Sequence, residues 1–268
     1  MNLSITDKTY KKLSIQVSLN GMSFCVLDML SGQPLLLEKI HFESIQKNIN
    51  IEELFENAFS QFSILNKEFD EITVIHNNNL STFVPVALFD NELIGSYLQY
   101  NTKVFETDFF TFDELPNYEM NNVYIPYVNI NNFFIDKFGS FDYKHSSSIL
   151  VTKILDVTKN KDDRKMFVHV NTTQFEIIVA QNQKLLFYNS FDYKTPEDFI
   201  YYILFTAEQL QLNPENFKLE LLGAVSEDDA LYKIAYKYIR NTQLFDFEND
   251  FNTLDLLSQR EHFILLNS

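Results

Sequence analysis

Apolar and polar positions alternate most regularly over Met166–Phe191, and that stretch organises the reading of the whole chain. Phe167, His169 and Asn171 alternate with Val168, Val170 and Thr172, the period of two that places successive side chains on opposite faces of a strand. Thr172-Thr173 interrupts the run, Phe175–Val179 resumes it, Gln181-Asn182-Gln183 interrupts it again, and Leu185–Tyr188 closes it. Short polar turns between β-branched and aromatic runs predict a three-strand meander.

A second such series lies near the N-terminus. Leu13–Val17, Ser23–Asp28 and Leu35–Phe42 read as strands, with Asn20-Gly21 as a hairpin turn and Ser31-Gly32-Gln33-Pro34 as the next turn. Ile51, Leu54, Phe55, Ala58, Phe59, Phe62 and Leu65 then recur at helical spacing and predict an amphipathic helix. Glu71–His76 is a short buried strand, and the apolar set from about Pro85 to Tyr100 predicts a second helix. Phe105–Phe112 fits an edge strand or an ordered loop. Val123–Tyr127 reads as a strand, Asn129–Phe138 as a helix closed by Gly139, Phe141–Lys144 as a brief strand and Ser146–Val157 as a helix.

Thr158–Lys165 is polar and without apolar period, which suits a linker or exposed turn and puts a domain boundary between about 145 and 165. After the meander, Thr195-Pro196-Glu197-Asp198 starts a helix: Thr caps, Pro suits the first helical position, and acids favour the first turn. Its buried stripe is Phe199, Ile203, Ala207 and Leu210, and the wider run Phe199–Phe205 reads as a core helix. Phe217–Leu222 predicts a strand, Ser226–Asp229 opens a further helix, Leu244–Phe247 predicts a closing strand, and Phe263–Leu266 an apolar tail docked on the core.

The two halves read βββαβαβα and βββαβαβ. Set side by side, Gln16 falls opposite His169, Val17 opposite Val170, Ser18 opposite Asn171, Leu35-Leu36-Leu37 opposite Leu185-Leu186-Phe187, and Val74 opposite Leu221. The expectation is an α/β fold built from duplicated βββαβαβα, ribonuclease H-like units, with domains at 1–150 and 151–268.

Composition narrows the function. A chain of 268 residues is at the size where two cores replace one, and 27 Phe with 14 Tyr supply large burial without any Trp. The abundance of Asn, Lys, Ile and Phe fits a low-GC bacterial genome. A net charge of −16 with scattered Lys and Arg argues against nucleic acid and anionic membrane surfaces as partners. The lone Cys25 sits in an apolar strand and reads as a core residue of a reducing compartment. The first residues carry no apolar core of a signal peptide, and Phe199–Ala207, the longest strongly apolar run, is far short of the ~20 residues a membrane helix needs. A cytoplasmic location without membrane insertion is the expectation.

The duplicated unit resembles the actin-like ATPase superfamily of sugar kinases, heat-shock chaperones and bacterial actin homologues. In detail, Lys184–Phe191, Pro196–Tyr202, Tyr236–Arg240, Val84–Asp90 and Lys144-His145-Ser146 resemble a family of Bacteroidetes-type bacteria known as a domain of unknown function with an actin-like ATPase fold. The resemblance covers nearly the whole chain and implies two domains facing a cleft. In active members of the superfamily each meander carries Asp-x-Gly at the end of its first strand, where the glycine lets backbone approach phosphate and the acid holds Mg²⁺ or the attacking water.

The matching positions here are Gln16-Val17-Ser18 and His169-Val170-Asn171, so both acids and both glycines are absent. Gln16, Ser18, His169 and Asn171 are thus degenerate phosphate-loop positions, and Gly223, before Ala224, is the candidate adenosine-side contact. Without an anchoring acid, Mg²⁺ has no evident protein ligand, and neither a catalytic residue nor a metal site is expected. The five histidines (His41, His76, His145, His169 and His262) lack metal-ligand spacing, and His145 beside three serines does not by itself make a triad. Asp246–Asp250 lacks the glycine of a calcium loop and reads as a solvated turn. The favoured reading is a pseudoenzyme without a cofactor, serving as a binding or scaffold module for a protein partner or small ligand, with a homo-oligomer also compatible. The alternative is a divergent ATPase or kinase that binds ATP and Mg²⁺ through nearby acids such as Asp28, Glu176 or Asp192.

Overall fold

A computed structural model describes residues 8–42, 50–100, 102–246 and 251–268. The chain gathers into two compact units, one drawn from Met1–Glu114, Met120–Ser148 and Ser268, the other from Leu115–Glu119 and Ile149–Asn267.

In the first unit β1 (Lys11–Ser18), β2 (Gly21–Asp28) and β3 (Pro34–His41) form the antiparallel meander. The tight turn is Leu19-Asn20 rather than Asn20-Gly21, because Ser18 pairs with Gly21. Gly21 is required by proximity: a Cβ there would lie 2.3 Å from the Ile40 carbonyl oxygen of β3. Helix α1 (Ile51–Gln61) is capped by Asn50, whose side chain accepts from the Glu52 N–H, and buries Phe55, Ala58 and Phe59. It stops short of the predicted Leu65, since Phe62 leaves the helical region at φ −111°, ψ 86° and a 3₁₀ turn, Ser63–Asn66, carries Leu65 into the core. Strand β4 (Glu71–His76) then adds parallel to β1.

Between β4 and the next helix the chain builds a separate three-stranded sheet, β5 (Ser81–Pro85), β6 (Thr111–Leu115) and β7 (Met120–Tyr124), in the order β5-β7-β6. The helix predicted over Pro85–Tyr100 is not formed. Two 3₁₀ turns, Val86–Leu88 and Asn91–Tyr97, replace it, parted by extended Phe89 and restarted by Asp90, whose carboxylate accepts from the Glu92 N–H. Phe89, Ile94, Tyr97 and Leu98 pack with Val84, Phe112 and Val123 in a small local core, while Leu88 and Leu93 remain exposed. The open choice at Phe105–Phe112 resolves into both alternatives, a loop to Phe110 and a strand from Thr111.

Helix α2 (Val128–Phe138), strand β8 (Asp142–His145) and helix α3 (Ser146–Val157) follow, giving a main sheet of order β3-β2-β1-β4-β8. Leu13, Ile15 and Val17 of β1 and Val74 of β4 are fully buried against Phe55, Phe59 and Phe134. Some of the phenylalanine rings meet edge-on, as in Phe55–Phe134 with centroids 5.6 Å apart, an arrangement their quadrupoles favour.

The second unit repeats the scheme. Its elements are β9 (Lys165–Val170), β10 (Gln174–Gln181), β11 (Lys184–Asp192), α4 (Pro196–Gln209), β12 (Lys218–Gly223), α5 (Ala230–Tyr238), β13 (Asn241–Leu244), α6 (Leu256–Glu261) and α7 (Phe263–Leu266). The sheet order is β11-β10-β9-β12-β13, the counterpart of the first. Thr195 and Asp198 close a capping box at α4, with Pro196 at its start. The helix predicted from Ser226 begins only at Ala230, because the Asp229 carboxylate first closes a turn by accepting from the Ser226 N–H and hydroxyl. Strand β13 ends at Leu244, where the predicted strand began; Phe247 lies outside the described residues, as do 248–250 of the predicted solvated turn. Phe199, Ile200 and Ile203 of α4 are buried, but Tyr201 and Phe205 face outward, so this helix is a core element on one side only. The apolar tail Phe263–Leu266 is buried as expected.

The parallel ladders align the two units residue by residue. Ile15 pairs with Val74 as Val168 pairs with Leu221, so Gln16 corresponds to His169, Ser18 to Asn171 and His76 to Gly223. Only the third strands slip by one: Val26 opposite Leu36 matches Val179 opposite Phe187, so Leu36, not Leu37, is the counterpart of Phe187. A one-residue slip exchanges the faces of a strand, and alternation in three consecutive leucines could not show it.

Gly223 adopts φ +91°, and a Cβ there would sit 2.3 Å from the Val170 carbonyl oxygen and 2.8 Å from its nitrogen. Backbone on both sides leaves no room to yield. Gly223→Ala is expected to lower unfolding stability by about 2 kcal/mol or more, read by urea denaturation; a change within about 0.5 kcal/mol would show that β9 and β12 do not approach this closely.

Candidate functional site

The ends of β1 and β9 carry the residues singled out in the sequence. In the second unit the hairpin register sets Glu176 directly opposite His169. His169 Nδ1 lies 2.8 Å from Glu176 Oε2, and the Asn171 amide donates to the same oxygen at 3.2 Å. The side chains of His169 and Glu176 are both 3% exposed. A buried carboxylate needs such partners, and here His169 and Asn171 provide them. Tyr193 adds a hydrogen bond from its hydroxyl to the Asn171 carbonyl at 2.8 Å, and the Ala224 N–H donates to the Val170 carbonyl at 2.8 Å. Gly223 is thereby accounted for by packing against β9.

In the first unit the corresponding pair is Gln16 opposite Ser23. Ser18 Oγ donates to the Gly21 carbonyl at 3.1 Å and accepts from the Asn20 N–H at 3.3 Å, closing the turn on itself. Of the alternative acids, Asp28 pairs with Lys11 at the far end of β2, roughly 23 Å from Ser18 at ~3.3 Å per residue, and caps its own turn through Leu30 and Ser31. Asp192 stands exposed opposite Gln174, and Glu176 is spent on His169 and Asn171. These residues do not supply the pair of acids of a Mg²⁺–phosphate site, since Glu176 is buried and engaged, Asp28 lies at the far end of its strand, and Asp192 alone is exposed. Among the described residues no group of three or more His, Cys, Asp or Glu converges to hold a metal ion.

The structure assembles a second polar cluster, in the first unit, that the sequence did not point to. His145, at the end of β8, meets the start of α3 and the three strands of the inserted sheet. The Ser147 backbone N–H donates to His145 Nδ1 at 3.1 Å, so that nitrogen carries no proton and also accepts from the Ser147 hydroxyl at 2.7 Å. The proton is on Nε2, directed to Asn78 Oδ1 at 3.2 Å. The Asn122 amide donates to Ser147 Oγ at 2.9 Å and Ser148 Oγ at 2.8 Å, and Ser81 Oγ lies 3.2 Å from Ser147 Oγ. Asp113 accepts from the Ser148 hydroxyl, from the His145 N–H at 2.8 Å and from the Tyr124 hydroxyl at 3.0 Å. Burial pushes the Asp113 carboxyl up, against those three hydrogen bonds.

His, Ser and Asp are all present, yet the acid bonds the His145 backbone while the imidazole nitrogen that would need orienting is bonded to Asn78. Ser147 is fully buried. The cluster is a joint that fastens β5, β6 and β7 to β8 and α3, not a nucleophile with access to substrate. The sequence signal for it was the polar Asn121-Asn122 within an otherwise apolar strand, followed by three serines at a helix start. Next to it, His76 accepts from the Tyr127 N–H on Nδ1 at 3.2 Å and donates from Nε2 to Asn131 at 2.9 Å.

Two units with mixed sheets of one strand order, three antiparallel strands then two parallel ones, define the actin-like ATPase fold. The chain belongs to the family described as Protein of unknown function (DUF3822), whose sequence model matches residues 1–242. A solved protein of Bacteroides thetaiotaomicron, described as having an actin-like ATPase fold and unknown function, is similar over 100% of both chains, with a TM-score of 0.81 and 20% identity. The PilM–PilN type IV pilus biogenesis complex contains a chain similar over 95% of this one and 96% of its own, at TM-score 0.55 and 10% identity. The cytoplasmic domain of EpsL, an inner-membrane component of the Vibrio cholerae type II secretion system, is similar over 96% and 95%, at 0.50 and 12%. At these identities the likeness is one of fold. Among curated proteins none matches the chain.

Burial lowers His76 from 6.5 to about 4, against the hydrogen bond to Asn131, and lowers His145 to about 3, with neighbouring His76 adding to the effect. As pH falls below about 6.5 the unfolded chain therefore takes up protons that the folded chain refuses. The stability that these neutral imidazoles contribute is complete above that pH and is lost progressively as pH falls, on the order of 3 kcal/mol from His76 alone by about pH 4. Denaturation measured between about pH 7.5 and 4.5 should show this decline, and His76→Gln, less stable at neutral pH, should decline less steeply. An unchanged slope in the variant would show that His76 is not the buried neutral group.

Proposed function

We propose that this actin-like ATPase-fold chain is a non-catalytic binding or scaffold module of a bacterial cytoplasm, with domains at 1–150 and 151–268, that engages a protein partner or an ordered small ligand. The observation that carries this reading is the closed His169–Glu176–Asn171 set. Where phosphoryl transfer requires an accessible acid and a free backbone approach, these side chains satisfy one another in the interior, and Ser18 does the same at the other hairpin. PilM, of the same fold, is a component of a complex with PilN, which supports an adapter role. Among the described residues no helix is long and apolar enough to cross a membrane.

The test is a thermal-shift titration with ATP and ADP at millimolar concentration, with and without Mg²⁺, alongside a phosphate-release assay. The expected outcome is no shift in melting temperature and no release above buffer. A saturable shift together with turnover that Glu176→Gln or Asp192→Asn abolishes would replace this reading with that of a divergent ATPase or kinase.

A further inference from the structure

The two repeats differ most in one place. In the second unit a short polar link, residues 224–229, joins β12 to α5; in the first unit residues 77–127 join β4 to α2 and hold the extra sheet. The fold repeat does not require this insertion, and the insertion closes its own small core around Val84, Leu98 and Val123. Outside that core it leaves Val86, Leu88, Leu93, Tyr100, Phe105 and Phe109 exposed, Leu88 by 71% and Tyr100 by 92%.

The two stretches that carry these side chains are packed on one another. Within the first, the Tyr97 hydroxyl donates to the Leu88 carbonyl at 2.9 Å; between the two, Phe89 lies 4.7 Å from Phe112 between ring centroids, and the Phe110 ring covers Gly95, within 3.1 Å of where a Cβ would stand. Monomeric proteins seldom present so many large apolar groups together unless something covers them. The charge around them is one-sided. Asp90, Glu92, Glu106 and Asp108 stand beside the apolar residues, against Lys103 alone, whose ammonium rests on the Phe105 ring at 5.0 Å. Glu92 and Glu106 are exposed and have no ion-pair partner among the described residues.

We propose that this face of the insertion is the docking surface of a protein partner that presents a short amphipathic segment, an apolar stripe bordered by Lys or Arg. The inference rests on the binding-module reading and names the chemistry of the partner. A second copy is the poorer occupant, because a face-to-face pair would set acids against acids in a chain already at −16. Apolar side chains would supply the holding contact and the carboxylates the steering and the choice of partner.

The experiment uses the full chain and a fluorescein-labelled 18-residue helical peptide of Leu and Lys with one apolar stripe, with the same design in Leu and Glu as its counterpart. Fluorescence anisotropy should show binding of the basic peptide only. Leu88→Ser/Phe105→Ser should weaken it at least ten-fold, and Glu92→Gln/Glu106→Gln should weaken it and flatten its salt dependence. Tyr201→Ser/Tyr236→Ser, exposed aromatics of the second unit, should leave it unchanged. All these sites are exposed, so unaltered melting temperatures confirm that the variants fold.

Equal loss in every variant or no loss in any would show that binding is not localised to this face, and equal binding of the acidic peptide would show that charge plays no part in it; each overturns the proposal. Sedimentation that shows a dimer broken by Leu88→Ser/Phe105→Ser overturns it in favour of a second copy. Nucleotide turnover would sink the non-catalytic reading and leave these peptide results standing, so the two fail separately.

Discussion

The parallel pairing of a fourth strand against the first strand of each meander is the constraint on which the rest of this protein depends. It encloses β1 and β9 between neighbours on both edges and helices over their apolar residues, so Leu13, Ile15, Val17, Val168 and Val170 are almost wholly out of water. At ~25 cal/mol per Å² of apolar surface, the burial of these two strands contributes hydrophobic stabilisation to each unit. A parallel pair also demands a crossover, which is why each meander must be followed by a helix before the sheet can continue.

That pairing brings the ends of the first and fourth strands side by side, and the two units use the junction differently. In the second unit Gly223 lets β12 bend against Val170, and His169, Asn171 and Glu176 satisfy one another beside it. In the first unit the same position is His76, a neutral imidazole held by Tyr127 and Asn131. Glycine and histidine at equivalent places reflect what leaves the strand next: a tight turn into α5, or a long excursion through a second sheet.

The excursion needs fixing, and the buried network around His145 does so. Hydroxyls, amides and one carboxylate with directed donors and acceptors tie three inserted strands to β8 and α3. Each bond contributes little net stability, but an unmade one in that interior would cost ~1–3 kcal/mol, so the arrangement selects a single geometry. The insertion can then carry exposed apolar side chains without losing its place on the sheet.

The meanders, Glu71–His76, Ser146–Val157 and the capped start of α4 were legible in the sequence because each depends on local chemistry: alternation, turn residues, a capping Thr with Pro and acids behind it. The equivalence of Gln16 with His169 was legible for the same reason. In the first half the order was read through Pro85–Tyr100 and Val123–Tyr127, which belong to the insertion, whereas α2 and β8 complete the repeat. Pro85–Tyr100 was misread because its apolar residues mimic a helical stripe, while the insertion's own core takes Phe89, Ile94, Tyr97 and Leu98 and leaves Val86, Leu88 and Leu93 in water. The one-residue slip of the third strands and the partnership of His145 with Asp113, Asn122 and Asn78 could not be read at all. They bring together residues far apart in the chain, and no spacing along a sequence encodes a contact that only sheet register creates. The sequence by itself determined a twice-used α/β unit with Gln16 and His169 at equivalent places in its first strands. Only the tertiary structure decided that His169 is buried and bonds to Glu176 while Ser18 closes its own turn, because burial is set by what packs on a strand rather than by the strand itself.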